Sequence, residues 1–281
     1  MNRWAKIKSM FGAVDIGGTK TLLAVFDKDG MIIRSVKLPT PNNYKNFKSL
    51  LTNHFQKTFG EKIFVTAVAV PGVIDRGKGV GIAFGNLPWE NVTIRDDISH
   101  IFKCPVVVEN DAKLAGLSEA ALLKDYRKVL YVTLSTGIGG GFIVNGKIDP
   151  NLEDIEVGQM LLEHEGKLLR WEDFASGRAI FEQFGKAMSD ITDKETLLII
   201  AHNVAVGLID LIATLTPDII VIGGGVGAHF EKIQAAVEED LKIYENDLLR
   251  VPPIIKAKRP EDAVIYGCFE LAKNNYEKIN N

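Results

Sequence analysis

The sequence predicts an α/β protein built from two related lobes. Strand-like apolar runs alternate with helix-like stretches along all 281 residues, which is the pattern of an α/β fold. The succession of strand, glycine turn, strand and Asp-Gly or Asn-Gly turn occurs in both halves, which indicates a repeat of about 120 residues. This period is far longer than that of a solenoid. Because no low-complexity segment or long linker separates the halves, we expect the lobes to be joined directly.

Apolar runs bounded by turn residues define the elements of the first half. The predicted strands are Phe11–Asp15, Thr21–Phe26, Met31–Ile33, Ile63–Val70 and Val106–Val108. The Asp29-Gly30 pair is typical of a hairpin turn. Helical spacing covers Tyr44–Phe59, and another helix is expected to begin directly after Glu109-Asn110-Asp111.

The second half repeats the start of the first and then adds a long helix. The predicted strands are Val129–Leu134, Phe142–Val144 and Ile219–Ile222, with a glycine-rich turn over Ser135–Gly141 and a hairpin turn at Asn145-Gly146. Apolar residues near the 3.6-residue period predict a helix over Leu197–Thr216, which Pro217 ends. The tail, Asp262–Ile279, is also predicted to be helical.

Composition and charge favour a cytoplasmic protein with a small-molecule partner. The 33 basic and 36 acidic residues give a formal net charge of −3, without the clustered Lys/Arg stripe of a nucleic-acid binder. No apolar run approaches the ~18 residues of a membrane span, so no membrane contact is expected. Residues 1–9 are basic and no apolar segment follows them, so we expect a dispensable lead or an upstream start rather than a secretory signal. Cys104 and Cys268 lack metal-ligand spacing and suit a reducing compartment as buried structural residues.

Three glycine-rich turns follow apolar strands and are candidates for holding phosphate. Glycine permits positive φ and close backbone approach, and exposed N–H groups then donate to anionic oxygens. The missing Gly-Lys-Ser/Thr spacing excludes a Walker loop, and the first two turns lead into strands, unlike a Rossmann fingerprint. A plain hairpin stays the alternative for any single turn. The residues concerned are Asp15, Gly17, Gly18, Thr19 and Lys20, then Thr136, Gly137, Gly139 and Gly140, then Gly223, Gly224 and Gly225.

Two carboxylates at strand ends are candidates for the chemistry itself. Asp111 could cap the helix that follows it, or it could accept a proton from a substrate hydroxyl while Asn110 hydrogen-bonds the substrate. Phosphoryl transfer needs positioning, charge neutralisation and such a base. Asp15 could organise Mg²⁺ through water, because magnesium keeps several waters and few carboxylates.

These motifs come in one order and together closely resemble the ROK family of sugar kinases, repressors and open reading frames. The resemblance covers residues 11 to about 275. It implies the actin-like ATPase fold of hexokinases, with two α/β lobes around a central cleft. Residues 1–112 with 262–281 would form the smaller lobe, and residues 113–261 the larger one. The motifs are Asp15–Lys20, Pro71-Gly72, Asn86, Glu109–Ala112, Ser135–Gly141 and Ile222–Gly225.

The resemblance implies an ATP-dependent hexose kinase, with glucose as the first expected substrate, Mg²⁺ as cofactor and ATP as co-substrate. Asp111 is then the general base, Asp15–Lys20 and Thr136–Gly140 are phosphate loops, and Gly223–Gly225 is the adenosine loop. Family members are often dimers, so the resemblance also allows a homodimer. The implied sugar contacts are Asn86, Asn110, Asp111, Glu156, Gln159 and Glu172.

One segment departs from the family pattern. The resemblance implies a Glu-x-Gly-His segment whose histidine binds sugar and a structural zinc, followed by three cysteines. This chain has Glu156-Val157-Gly158-Gln159 and no cysteine before Glu172. Because a thiolate site cannot be built here, we expect no zinc, and we expect His164 to be a solvated surface residue. An apolar cluster is expected to hold the shortened segment, formed by Met160, Leu161, Leu162, Leu168, Leu169 and Trp171.

Other functions stay open at this point. A polyphosphate-dependent glucokinase, or a non-catalytic sugar or nucleotide sensor of the same fold, would share most of these residues. The adenosine loop favours ATP over polyphosphate, and the intact Asp111 and phosphate loops favour an enzyme over a sensor. A repressor is not expected, because the first strand begins at Phe11 and leaves no room for a preceding helix-turn-helix.

Overall fold

A computed structural model describes residues 10–58, 63–259 and 262–280. Residues 1–9, the expected lead, lie outside the described residues. The contacts divide the chain into two compact units, one formed by residues 1–118 and 262–281 and the other by residues 119–261. The first division falls later than the expected boundary at residue 112, because Leu114 packs directly against Gly267 of the C-terminal helix.

The first unit contains a five-stranded sheet and a three-stranded sheet. Its strands are β1 (Met10–Ile16), β2 (Lys20–Asp27), β3 (Ile32–Pro39), β4 (Val65–Val70), β5 (Val73–Asp75), β6 (Val80–Phe84), β7 (Leu87–Val92) and β8 (Val106–Asn110). Its helices are α1 (Tyr44–Thr58), α2 (Ile94–Phe102), the start of α3 (Asp111–Ala120) and α9 (Ala263–Asn280). The elements predicted in this part of the chain are present, and β3 continues further than predicted.

Between Gly72 and Pro105, where no element is predicted, the structure has β5, β6, β7 and α2. The strands are short and partly exposed, so their apolar residues form no continuous run. Helix α2 could have been predicted from the sequence, because Ile94, Ile98 and Phe102 are spaced four residues apart and are buried on one face of the helix.

The strand order of the five-stranded sheet is β3-β2-β1-β4-β8. Strand β2 pairs antiparallel with β1 and β3, whereas β1, β4 and β8 run parallel. Every residue of β4 is buried, as expected for a parallel strand covered on both faces. The carboxyl ends of β1, β4 and β8 therefore meet at one edge, and this is the edge where ligands bind in open α/β sheets.

Helices cover both faces of this sheet. On one face α9 packs against β1 and β4, and the ring of Phe269 lies 5.7 Å from that of Phe11 and 5.1 Å from that of Phe26. On the other face, α1 and α2 contribute Phe47 and Ile98 to a buried apolar cluster shared with the strands.

The second unit contains another five-stranded sheet and a separate hairpin. Its strands are β9 (Lys128–Leu134), β10 (Ile138–Val144), β11 (Lys147–Ile148), β12 (Leu161–His164), β13 (Lys167–Arg170), β14 (Ile219–Gly223) and β15 (Ile254–Lys256). Its helices are α4 (Trp171–Ala175), α5 (Gly177–Phe184), α6 (Lys194–Leu215), α7 (Gly224–Gly227) and α8 (Gln234–Lys242). Short 3-10 turns occur at Val157–Gln159, Met188–Asp190 and Phe230–Lys232.

The second sheet has the topology of the first. Its strand order is β11-β10-β9-β14-β15, with β10 antiparallel to β9 and β11, and with β9, β14 and β15 parallel. Three antiparallel strands thus continue into parallel ones in both units. This correspondence confirms the repeat predicted from the two strand-turn-strand segments.

Helix α6 forms much of the core of the second unit. It buries Ile200, Val204 and Leu208, as the apolar spacing predicts. The expectation that no apolar stretch is long enough for a membrane span is wrong, because α6 has the length and composition to cross a membrane. Isolated polar residues such as Asn203 interrupt the run in the sequence but leave the helix apolar on average. Of its most apolar window, 50% is buried inside the protein, as in a core helix.

Candidate active site

The first glycine turn connects β1 to β2 at the carboxyl edge of the first sheet. The N–H of Gly17 donates to the carbonyl of Lys20 over 2.9 Å and closes the turn. Thr19 and Lys20 are exposed. A Cβ on Gly18 would lie 3.1 Å from the Cβ of Asn86. The structure therefore brings this turn together with Asn86, which lies far away in the sequence.

Asp15 and Asp111 are neighbours at the same edge. Asp15 lies at the end of β1, and Asp111 begins α3 directly after β8. Burial, followed by the negative charge of Asp111, raises the pKa of Asp15 from its ordinary 3.8 to about 7, and the charge of Lys37 opposes this shift. The edge therefore concentrates negative charge in a partly buried place. Lys37 was not predicted as a site residue, because its proximity depends on the pairing of β2 with β3.

Asn110 caps helix α3. Its Oδ1 accepts hydrogen bonds from the N–H groups of Ala112 and Lys113, at 2.9 and 3.3 Å, as an N-cap side chain does. Its Nδ2 donates to the carbonyl of Gly72 over 3.2 Å. Asp111 also accepts from the N–H of Ala112, at 2.7 Å. Helix capping was the alternative role considered for Asp111, and in the structure Asn110 and Asp111 share it. Both the side-chain oxygen and the side-chain nitrogen of Asn110 have protein partners.

A buried ion pair fixes the end of β8. Glu109 is 5% exposed, and its carboxylate accepts from Nη2 of Arg76 at 2.6 Å and from Nε at 2.9 Å. The same carboxylate accepts from the N–H of Asn110 at 2.7 Å. Bidentate arginine–carboxylate pairs of this kind are strong, and they fix the orientation of both side chains. Arg76 was not predicted, because its loop meets Glu109 only through the folding of the sheet.

The second glycine turn is shorter than predicted. Residues Gly139–Gly141 already belong to β10 and pair with β9, so the turn itself is 135–137, with Thr136 exposed. A Cβ on Gly140 would lie 2.9 Å from the side chain of Val157. Glycine is therefore needed at this position for close packing within the unit. The expectation that Gly139 and Gly140 lie in an open turn is corrected accordingly.

The third glycine segment leads from β14 into α7. Gly224 has a φ of +81°, and a Cβ there would lie 2.5 Å from the carbonyl oxygen of Leu134. Glycine is required at this position for both reasons. A Cβ on Gly225 would have no atom within 4 Å, so Gly225 borders open space. Gly223 is the last residue of β14.

Thr136 and Gly225 line the same pocket in the second unit. The cavity has a volume of about 520 Å³. It joins backbone from two glycine-containing turns to apolar and aromatic side chains, which suits a ligand with an anionic part and a flat apolar part. Further lining residues are Arg178, Phe181, Met188 and His229.

Gln159 and Glu172 form a hydrogen-bonded pair beside the second turn. Nε2 of Gln159 donates to Oε1 of Glu172 over 2.8 Å, and Oε2 of Glu172 lies 3.5 Å from the N–H nitrogen of Ile138. The guanidinium of Arg170 lies 3.7 Å from the same carboxylate. Glu156 is exposed, and its carbonyl accepts from the N–H of Gln159 at 3.0 Å. Gln159 thus contacts the other two predicted residues of this segment, Glu172 through its side-chain amide and Glu156 through its backbone N–H.

Strands β12 and β13 form a hairpin in the shortened segment. Leu162 pairs with Leu169 and faces the core, whereas Leu161 and Leu168 are 61% and 66% exposed. The expected apolar cluster is therefore wrong for Leu161 and Leu168, because successive strand residues face opposite sides. Its remaining members do belong to the core: Met160, Leu162, Leu169 and Trp171.

His164 stacks on Phe174 of α4. The ring centroids are 4.2 Å apart and the ring planes differ by 8°. The expectation of a solvated surface residue holds only in part, because the imidazole is half-buried and one of its faces lies on this ring. Within residues 10–58, 63–259 and 262–280, no three His, Cys, Asp or Glu side chains are grouped to hold a metal ion.

Sequence comparison decides the family. The profile described as the ROK family matches residues 11–275. The chain belongs to the ROK family. One relative of this ROK protein is the N-acetyl-D-glucosamine kinase of Haemophilus influenzae, which is 28% identical over 304 aligned positions that cover 93% of this chain and 99% of the relative. The fructokinase of Zymomonas mobilis is 29% identical over 304 positions, covering 94% of this chain and 97% of the relative.

Solved structures share the fold of this ROK protein. A ROK glucokinase from Streptomyces griseus, in complex with glucose and AMPPNP, has a TM-score of 0.78 at 22% identity and covers 95% of this chain and 100% of its own. A polyphosphate/ATP-glucomannokinase from Arthrobacter has a TM-score of 0.67 at 24% identity and covers 97% and 100%. A ROK transcriptional regulator has a TM-score of 0.81 at 16% identity and covers 95% and 78%. The predicted actin-like ATPase fold is confirmed.

Proposed function

We propose that this ROK protein is a sugar kinase that transfers the γ-phosphate of ATP to a hydroxyl group of a hexose, with glucose as the first substrate to test. The observation that carries the proposal is the pairing of Asp15 with Asp111 at the carboxyl edge of the first sheet, beside a glycine turn. Phosphoryl transfer needs a base, neutralisation of phosphate charge and donors to phosphate oxygens. The names of the relatives, an N-acetylglucosamine kinase and a fructokinase, support this class of reaction.

In the proposed reaction Asp111 is the general base. Its carboxylate accepts the proton of the attacking hydroxyl while that oxygen bonds to the γ-phosphorus. The bond from the γ-phosphorus to the bridging oxygen breaks, and ADP leaves with its electrons. Asp111 begins α3, and the N–H of Ala112 donates to its carboxylate over 2.7 Å, which orients the proposed base. The ion pair between Arg76 and Glu109 supports this role, because it fixes the backbone next to the base.

Asp15 is the residue proposed to hold Mg²⁺, through water. The pKa of Asp15 is raised because burial and the charge of Asp111 make its ionised form less favourable. A nearby cation would lower the free energy of the ionised form again. The donor set therefore fits a hard divalent cation. When bound, Mg²⁺ would neutralise charge on the phosphates of ATP.

The pocket of the second unit is proposed to receive the nucleoside part of ATP. The exposed turn that carries Thr136 borders the cavity on the side proposed for the phosphates, and Gly225 leaves open space beside it. Phe181 and Met188 offer an apolar surface to a flat base. Polyphosphate has no nucleoside and would not use this surface, so the pocket supports ATP as the donor. The supply of ATP also supports a cytoplasmic location.

Gln159 and Glu172 are proposed to contact hydroxyl groups of the sugar without a metal. The amide of Gln159 holds one carboxylate oxygen of Glu172, while the main chain at Ile138 lies next to the other. Amide and carboxylate groups are suitable partners for sugar hydroxyls. The apolar packing of Leu162, Leu169 and Trp171 supports this segment in place of a zinc site.

A substrate panel tests the proposal. Purified protein is incubated with glucose, fructose, mannose or N-acetylglucosamine, each with Mg-ATP or with polyphosphate, and the sugar phosphate is measured by mass spectrometry. We expect ATP-dependent phosphorylation of at least one hexose, abolished by Asp111→Asn and retained by Asp29→Asn, whose carboxylate is exposed on the hairpin after β2. Turnover with polyphosphate alone would refute ATP as the donor. Binding of sugar and ATP without turnover would identify a sensor instead.

A further inference from the structure

We infer that Lys232 is a positioning residue for the nucleoside part of the donor, an inference that rests on the nucleotide site proposed above. Lys232 ends the 3-10 turn Phe230–Lys232. Its ammonium group donates to three backbone carbonyls, those of Met188 at 3.0 Å, Ser189 at 2.7 Å and Ile191 at 3.0 Å. A lysine ammonium has three donors, so this arrangement engages all of them.

Two of these carbonyls belong to residues that line a wall of the pocket, and Ile191 lies two residues further along the chain. Met188 and Ser189 line the cavity together with Phe181. Met188 and Ser189 belong to a single 3-10 turn, Met188–Asp190, between α5 and α6. A turn of this length has little hydrogen bonding of its own. Three bonds from a charged donor therefore contribute much of what fixes its backbone.

The same lysine joins this wall to the segment that follows the third glycine turn. The N–H of Lys232 donates to the carbonyl of His229 over 3.0 Å, and His229 lines the pocket along with Gly225. The backbone of Lys232 is thus tied to one part of the lining, and its ammonium group is tied to another. Lys232 consequently sets the distance between His229 and Met188, which a bound base has to match.

Removal of the ammonium would leave the wall to be ordered by the ligand. The apparent affinity of a ligand that must order its own site equals the intrinsic affinity multiplied by the fraction of protein already in the competent state, so a smaller fraction means weaker binding. The lost affinity is that of the contacts between the pocket wall and the nucleoside. Contacts between the phosphate chain and the glycine turns do not involve the 3-10 turn at Met188–Asp190 and should be unaffected.

The experiment compares Mg-ATP with Mg-tripolyphosphate, which has the phosphate chain but no nucleoside. Lys232→Met keeps the aliphatic stem and removes the donors, and Lys232→Arg keeps a charged donor. Lys256→Met is the matched control, because Lys256 pairs with Glu231 on the surface. By calorimetry, Lys232→Met should weaken ATP binding about tenfold, which corresponds to about 1.4 kcal/mol, with tripolyphosphate binding unchanged. In turnover the KM for ATP should rise while kcat and the KM for sugar stay constant, and Lys256→Met should match wild type.

Four outcomes separate the possibilities. An equal loss of ATP and tripolyphosphate binding, or no loss of ATP binding, would overturn the role of Lys232. A smaller loss for Lys232→Arg than for Lys232→Met supports it. If wild-type protein binds no ATP, the proposed donor site itself fails, independently of Lys232. Should Lys232→Met be too unstable to assay, Lys232→Gln, which keeps two donors, is judged by the same comparison.

Discussion

Replacing Asp15 with asparagine should stabilise the folded protein at alkaline pH, in the absence of Mg²⁺. The pKa of Asp15 is raised from 3.8 to about 7 by burial and by the charge of Asp111. Because the unfolded chain loses this proton first, the stability of wild type falls as pH rises from about 4 to 7 and stays low above that range. At 1.36 kcal/mol per pH unit the displacement corresponds to at most about 4 kcal/mol. Water and ions around this half-buried carboxyl group reduce the effect, so we expect about 1–2 kcal/mol.

Urea unfolding at pH 4 and pH 8 measures this effect. Asp15→Asn should exceed wild type by about 1–2 kcal/mol at pH 8 and come close to it near pH 4, where the side chain at position 15 is neutral in both folded proteins. Asp29→Asn, which alters an exposed carboxylate, is the matched control and should follow wild type at both pH values. Asp111→Asn should give a smaller gain at pH 8, because burial outranks the charge of Asp111 as a cause of the shift. An Asp15→Asn protein that is no more stable than wild type at pH 8 would refute the reasoning.

Further expected outcomes concern catalysis, metal and backbone. Asp111→Asn should lower kcat by about 10²–10⁴-fold in an ADP-release assay, and retention of a tenth of wild-type kcat would contradict its role as base. Trp171→Ala should cost about 3–5 kcal/mol in urea unfolding, because Trp171 is 0% exposed and its Nε1 donates to Asn203 O at 3.0 Å; an unchanged midpoint would contradict this. Elemental analysis of protein purified without added metal should find no stoichiometric zinc, and a zinc-selective chelator in excess Mg²⁺ should leave activity intact. Gly224→Ala should lower the melting temperature, because a Cβ at φ +81° would lie 2.5 Å from Leu134 O; an unaltered melting curve would argue against the strain.

Local turn chemistry made the strand pairs predictable. Asp29-Gly30 and Asn145-Gly146 mark the hairpins that begin each sheet, and the apolar runs beside them have the length of strands. The prediction failed where the pairing within a hairpin decides the structure. Gly139–Gly141 resemble a turn in isolation and become strand only because β9 lies alongside them. The exposure of Leu161 likewise follows from the register of its hairpin with β13.

The candidate site divides in the same way. Asp15, Asp111 and the glycine turns could be found from the sequence, because each follows an apolar strand directly. Arg76 and Lys232 could not be found, since their partners come from segments more than thirty residues away. The sequence around Arg76 or Lys232 contains no local pattern that would predict a partner in a distant segment. Supporting residues of this kind become visible only when the fold has brought the segments together.

The position of α9 determines the order in which the units can mature on the ribosome. The second unit is a continuous stretch, 119–261, and all of it is synthesised before α9 emerges. Until then one face of the first sheet lacks its cover, and Phe11 and Phe26 have no contact with Phe269. An uncovered apolar sheet of this kind is a target for chaperones during translation. The unit that leaves the ribosome first is therefore the last to be completed.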